Sequence, residues 1–226
     1  MTGTWPTAES PVLSPILTSG VIAVVRLAEA VPLRAAAEAL AAGGIGAIEV
    51  TLTTPGALDT VRELASAGIP ECVVGAGTVL DELAARHAIA AGARLIVSPV
   101  FEPGILRLCR EHNVVCMPGG FTPTELLRAW YGGASLVKVF PAASLGPEGL
   151  RQVLAPLPQL RLVPSGGVTL ENAAEWIMAG ATAISVGTGL VNAARVRRES
   201  LGELTALARR YVDAVAGARR LLADRA

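Results

Sequence analysis

Lysine is nearly absent from this 226-residue chain: eighteen of the nineteen basic residues are arginine, and Lys138 alone is lysine. Histidine is scarce, with only His87 and His112, and cysteine stops at Cys72, Cys109 and Cys116. An odd, sparse set of cysteines makes no disulfide framework and suits a reducing cytoplasm. Their spacing matches no zinc pattern, so these five residues read as structural and no metal site or cofactor is expected. An excess of charge is also missing. Nineteen acidic residues balance the basic ones and the pI is about 6.7. Nucleic acid and anionic membranes select a basic face, so neither is an expected partner. There is no run of about 18 unbroken apolar residues to span a bilayer. The opening MTGTWPTAES lacks a basic start followed by an apolar stretch, so no secretory signal is read and a cytoplasmic location is expected. Aromatic residues make up only 4%, which leaves Ala, Val, Leu and Ile to build the core.

Apolar residues are plentiful, at 52% of the chain. They fall into eight short β-rich runs: VIAVVR (21–26), AIEVTL (47–52), CVVGAG (72–77), LIVSP (95–99), VVCMPG (114–119), LVKVFP (136–141), RLVPSGG (161–167) and AISVGTG (183–189). Between them lie Ala/Leu-rich amphipathic stretches, many ending in a glycine signal such as Gly68, Gly92 or Gly180. Near-continuous apolar strands are covered on both faces, as in a parallel sheet. Eightfold strand–helix alternation over this length predicts an α/β fold, a single-domain (β/α)₈ TIM barrel. An open doubly wound sheet is the alternative. Residues 1–20 read as a lead-in segment, with a short helix closing the barrel bottom. Residues 21–226 read as the barrel, finished by an amphipathic helix over 200–223.

In such a barrel the chemistry sits at the C-terminal strand ends. Lys138 interrupts the sixth run between Val137 and Val139. A composition that uses arginine almost everywhere keeps lysine where arginine fails. A guanidinium stays protonated, whereas a buried amine can lose its proton and attack a carbonyl. Glu49 is the one acidic residue inside a predicted strand, and a buried carboxylate is costly unless paired or working. Facing the lysine it could shuttle protons; a structural ion pair with Lys138 or Arg26 is the alternative. Arg26 ends the first strand and could hold a carboxylate in its fork. Thr78 could bind the same carboxylate or cap a helix beginning near Leu80. Phe140 shares the face of Lys138 and is read as a pocket wall. Ser165-Gly166-Gly167 and Gly187-Thr188-Gly189 close adjacent strands just before helical stretches. Glycine-rich strand ends expose backbone N–H groups to an anion, and a phosphate is the expected ligand.

The motifs IEVTLTTPGAL, VVGAGTVL, LIVSPVF, MPGGFTPTEL, LVKVFPAASLGP, VPSGGVTLEN and SVGTGLV, in this order and spacing, resemble the 2-keto-3-deoxy-6-phosphogluconate (KDPG/KHG) aldolases from about residue 17 to about residue 215. The resemblance implies a (β/α)₈ barrel, a metal-free homotrimer and a class I aldolase acting on a phosphorylated 2-keto-3-deoxy sugar acid. By position it makes Lys138 the Schiff-base lysine, Glu49 the general acid/base, Thr78 a pyruvate-carboxylate contact, and Thr188 with Gly166 and Gly167 phosphate contacts. One departure stands out. Many members carry arginine four residues after the catalytic glutamate, where this chain has Thr53; some that lack it carry arginine where this chain has Arg26. The departure leaves the gluconate and galactonate epimers open as substrates, and 4-hydroxy-2-oxoglutarate is a further alternative within the family. The rival readings are a non-covalent phosphate-barrel epimerase or isomerase, and a sugar-phosphate sensor that does no chemistry.

Overall fold

The computed structural model describes residues 12–197 and 201–224. Of the expected lead-in segment, residues 1–11 lie outside the described residues. The strands are β1 (Val21–Val25), β2 (Ala47–Thr51), β3 (Val73–Gly77), β4 (Leu95–Val97), β5 (Val115–Met117), β6 (Gly119–Gly120), β7 (Val137–Val139), β8 (Leu162–Pro164) and β9 (Ile184–Val186). The helices between and around them are α1 (Ser14–Ser19), α2 (Arg34–Ala42), α3 (Ala57–Ala67), α4 (Glu82–Ala90), α5 (Pro103–Glu111), α6 (Pro123–Tyr131), α7 (Ala142–Leu154), α8 (Ala173–Met178), α9 (Ala193–Arg197) and α10 (Leu201–Ala223). No helix among the described residues is long and apolar enough to cross a membrane.

Every strand pairing is parallel, in two curled sheets ordered β5-β4-β3-β2-β1-β9 and β6-β7-β8. The fifth apolar run, expected as one strand, is two segments. Pro118 separates β5 from β6, and a residue without an N–H cannot complete a ladder. Its carbonyl still accepts from Lys138 N–H at 2.8 Å. At the other junction Ser165 and Ser185 form a bridge, and Thr182 N–H donates to Leu162 O at 2.9 Å.

Strand alternation sorts the side chains into two cores. Outward residues such as Val21, Ile48, Val74, Val137 and Ile184 pack under the helices. Inward residues nearer the strand starts, including Ile22, Ala47, Leu95, Val115 and Val163, form a second cluster with Leu13 and Ile16, which α1 presses against them. Burying an aliphatic side chain of this size contributes about 1.5–3 kcal/mol. The inner plug keeps water out below the level of Glu49 and Lys138. Helix α10 lies across α2 and α8 and buries Leu204, Ala208, Tyr211 and Val215. Arg219 on α10 donates to Thr18 O and Thr182 O, tying α10 to the end of α1 and to the approach to β9.

Candidate active site

The interior changes character halfway along the strands. Glu49 and Thr51 on β2 follow Ala47 on the inward face, and Lys138 on β7 follows Leu136. Strands β2 and β7 lie in different sheets, yet their side chains meet: Lys138 Nζ is 4.0 Å from Glu49 Oε1, with side-chain exposures of 3% and 0%. Neither Glu49 oxygen finds a hydrogen-bond partner among the described residues. Burial pushes the Glu49 carboxyl above its ordinary value, against the pull of the Lys138 and Arg26 cations. A carboxyl so placed holds its proton more tightly than one in water, which suits it to passing a proton to and from a bound reactant.

Space for that carboxylate comes from β3. Its inward positions are Gly75 and Gly77, paired in register with Glu49 and Thr51. A Cβ at Gly77 would collide with the Glu49 carboxylate, and one at Gly75 would meet Leu95 O at 2.6 Å. The sequence reading did not single these glycines out for that purpose.

Above the pair, at the C-terminal strand ends, opens a cavity of about 320 Å³. Its walls bring together Arg26, Phe140, Ser165, Gly166, Gly167, Gly187 and Thr188 from four strand ends, all singled out in the sequence. Gly189, from the second glycine-rich strand end, and Val24, Val168, Thr169 and Ser185, which were not singled out, complete it. Phe140 joins the two levels, since its ring centroid is 5.3 Å from Lys138 Nζ. Lys138 itself, only 2% exposed, lies one strand step beneath the cavity.

Arg26 is held by its neighbours in sequence. Thr54 Oγ1, on the loop after β2, accepts from Leu27 N–H at 3.2 Å and reaches Val25 O at 3.5 Å, bracketing the arginine. Thr53, the position at which the sequence departs from the resemblance, bonds Thr51 Oγ1 at 3.0 Å.

The two glycine loops differ in detail. Gly166 and Gly167 have φ of 88° and 82°, a region L side chains avoid. Gly187 has no such φ and nothing within 4 Å of where a Cβ would be, so the missing side chain is cavity space. The expectation that both loops sit directly before helices is corrected. Helix α8 starts at Ala173 and α9 at Ala193, six and four positions past the last glycine of each loop, so neither helix N-terminus adjoins the loop glycines and the dipole adds little there. The second loop is shaped from behind, where Arg195 Nη1 donates to Gly189 O at 2.6 Å and Asn192 Nδ2 to Thr188 O at 3.3 Å.

Thr78 is half-buried, left-handed at φ 56°, and absent from the cavity wall. Its alternative role as a helix cap is also corrected: α4 begins at Glu82, and Asp81 caps it by accepting from Ala84 N–H at 2.7 Å. Among the described residues no three His, Cys, Asp or Glu side chains gather as metal ligands.

Known proteins place this architecture. The family described as KDPG and KHG aldolase matches residues 13–207. The chain is 39% identical over 176 residues to a probable 2-dehydro-3-deoxy-6-phosphogalactonate aldolase of Rhizobium meliloti (strain 1021), covering 74% of this chain and 82% of that one. It is 37% identical over 199 residues to a 2-dehydro-3-deoxy-phosphogluconate aldolase of Treponema pallidum (strain Nichols), covering 86% and 91%. A solved KDPG aldolase from Legionella pneumophila, with pyruvate captured as a covalent carbinolamine intermediate, superposes at a TM-score of 0.76 with 27% identity, covering 90% of this chain and 98% of that one. With a match of this extent and relatives at these identities, the chain belongs to the KDPG and KHG aldolase family.

Proposed function

We propose that the protein is a Schiff-base aldolase that reversibly cleaves 2-keto-3-deoxy-6-phosphogluconate to pyruvate and glyceraldehyde 3-phosphate. The observation that carries this reading is the sole lysine, buried 4.0 Å from a fully buried carboxylate beneath a cavity rimmed by glycine loops. Lys138 Nζ adds to the C2 ketone, and loss of water leaves an iminium that accepts electrons. Glu49, through a water, takes the proton of the C4 hydroxyl. The C3–C4 electron pair moves into the iminium, the aldehyde departs and an enamine of pyruvate remains. Returning the proton to C3 and hydrolysing the imine frees pyruvate and the lysine. The protonated nitrogen stabilises the developing charge, so the route asks for neither metal nor cofactor. Arg26 and Thr78 are assigned to the pyruvate carboxylate, with Phe140 as the wall. Ser165, Gly166, Gly167, Gly187 and Thr188 are assigned to the phosphate. Because Arg26 lines the same cavity as both glycine loops, a role at the phosphate is the competing assignment for it.

The framework proposed is a closed (β/α)₈ barrel of one domain, supported by the Ser165–Ser185 bridge at one junction and by the continuity of β5 and β6 around Pro118 at the other. A homotrimer in the cytoplasm is proposed with it. The exposed apolar side chains Leu80, Val100 and Phe121, on the loops after β3, β4 and β6, are the surface such an assembly would cover.

The test is direct. Pyruvate with borohydride should leave one three-carbon adduct, on Lys138, and Lys138→Arg should lose both the adduct and cleavage. An adduct elsewhere or an active arginine variant overturns the mechanism. The galactonate epimer is the second reading, favoured by the Rhizobium relative and by Thr53. A ratio of kcat/KM for the two epimers decides between them.

A further inference from the structure

Five serines are buried among the described residues, and two of them have clear side-chain partners. Ser19 Oγ donates to Val21 O and accepts from Gly46 N–H, and Ser98 Oγ accepts from Val100 N–H. Ser185 differs. It is 1% exposed, its Oγ has no hydrogen-bond partner among the described residues, and it lines the cavity. Ser135 Oγ and Trp176 Nε1 are also unpartnered, but neither lines that cavity. A buried hydroxyl left unbonded is disfavoured, and alanine would occupy the same place without that cost. A polar orphan facing a cavity points to a polar ligand.

Its height along the strands says which part of the ligand. Ser165 N–H donates to Val139 O at 3.0 Å, so Ser165 is level with Phe140, just past Lys138, and Ser185 bridges to Ser165. Gly187 and Thr188 lie two and three residues further along, about 7–10 Å at strand rise. Ser185 therefore stands between the amine that takes C2 and the loops assigned to the phosphate on C6. Two hydroxyls pass that level. The one on C4 gives up its proton in the cleavage step and belongs to Glu49. The one on C5, brought in by the aldehyde, has no partner in the scheme above.

We propose that Ser185 is a specificity-determining residue that hydrogen-bonds the hydroxyl adjacent to the aldehyde carbon of the phosphorylated substrate. The inference rests on the aldolase reading. A serine hydroxyl both donates and accepts, and a site built around a substrate hydroxyl discriminates against the analogue that lacks it.

The probes are two stable four-carbon phosphonate aldehydes added to pyruvate: 3-hydroxy-4-oxobutylphosphonate and 4-oxobutylphosphonate, which differ only by that hydroxyl. Wild-type enzyme should favour the hydroxylated aldehyde in kcat/KM. Ser185→Ala should reduce the ratio of the two kcat/KM values about tenfold, the loss of one neutral hydrogen bond. Ser185→Cys, which keeps the volume, should reduce it similarly and guards against a packing artefact in the alanine variant. A wild type indifferent to the hydroxyl overturns the proposal. So does a ratio unchanged in both variants, or an equal loss on both aldehydes, which marks a structural serine. If wild-type enzyme turns over neither aldehyde and traps no pyruvate with borohydride, the aldolase reading fails first and takes this inference with it.

Discussion

Lys138 Nζ and Glu49 Oε1 face each other at 4.0 Å across the interior, from strands in different sheets. Removing two charges from water costs several kcal/mol per ion, and at this separation with no supporting hydrogen bond on the carboxylate the attraction does not recover it. The pair is better suited to exchanging a proton than to holding the fold together. Four consequences can be measured.

Glu49→Gln keeps the shape and removes the base. kcat should fall about 10²- to 10⁴-fold with a modest change in KM. Stability should move the other way with pH. The folded protein raises the Glu49 carboxyl above its ordinary 4.5, so it holds its proton more tightly folded than unfolded. The stabilisation this provides is complete below the unfolded value and is lost as pH rises through the folded one. Denaturant unfolding at a series of pH values should show wild type losing ground to Glu49→Gln across that window. A parallel pair of curves would contradict the raised carboxyl.

Arg26→Ala and Thr188→Val separate the two ends of the substrate. If Arg26 holds the carboxylate, its loss weakens pyruvate itself, measured as the dissociation constant for pyruvate in borohydride trapping. Thr188→Val should change only the discrimination between phosphorylated and unphosphorylated aldehydes. An Arg26→Ala enzyme with normal pyruvate affinity and lost phosphate preference would move the arginine to the phosphate, where the cavity geometry also allows it.

Gly167→Ala and Gly187→Ala should part company. At Gly167 the φ of 82° is strained for alanine, and its Cβ would sit 2.5 Å from Ala143 Cβ, so a loss of about 1–3 kcal/mol in unfolding free energy is expected. At Gly187 a methyl has open space and no strain, so stability should hold within about 0.5 kcal/mol while KM for phosphorylated substrate rises. Equal melting behaviour for both variants would refute the distinction.

Dialysis against EDTA should leave activity intact. A metal assisting enolate formation needs two or three ligands converging on the site. Activity lost to EDTA and restored by Mg²⁺ or Mn²⁺ would transfer the protein to a metal-dependent mechanism and displace Lys138 from its role.

Much of this was legible in the sequence, for identifiable reasons. Strands buried on both faces read as unbroken apolar runs, so all eight runs could be located, although Pro118 divides the fifth. Glu49 and Lys138 stood out as charges where the pattern demands apolar residues. What escaped was information carried by absence or by three-dimensional surroundings. Gly75 and Gly77 carry no side chain to draw notice within their run, and only the neighbouring strand shows them to be a vacated volume. Ser185 lies two residues before Gly187 on one face, a visible alternation, but serine is too common to be singled out until its hydroxyl is found unpartnered. Thr78 looked like a cap because threonine favours that place; Asp81, three residues later, takes it.

The vacancy on β3 has a consequence for how this site can vary. Positions 49 and 77 occupy one volume between them, so neither is free to change alone. Any side chain at 77 evicts the carboxylate, and a shorter acid at 49 would retreat from Lys138 and open a gap. A designer wishing to move the proton-transfer group must therefore treat the two as a single two-letter word, for instance Asp with Ala in place of Glu with Gly. The acid's address is written on the strand next door.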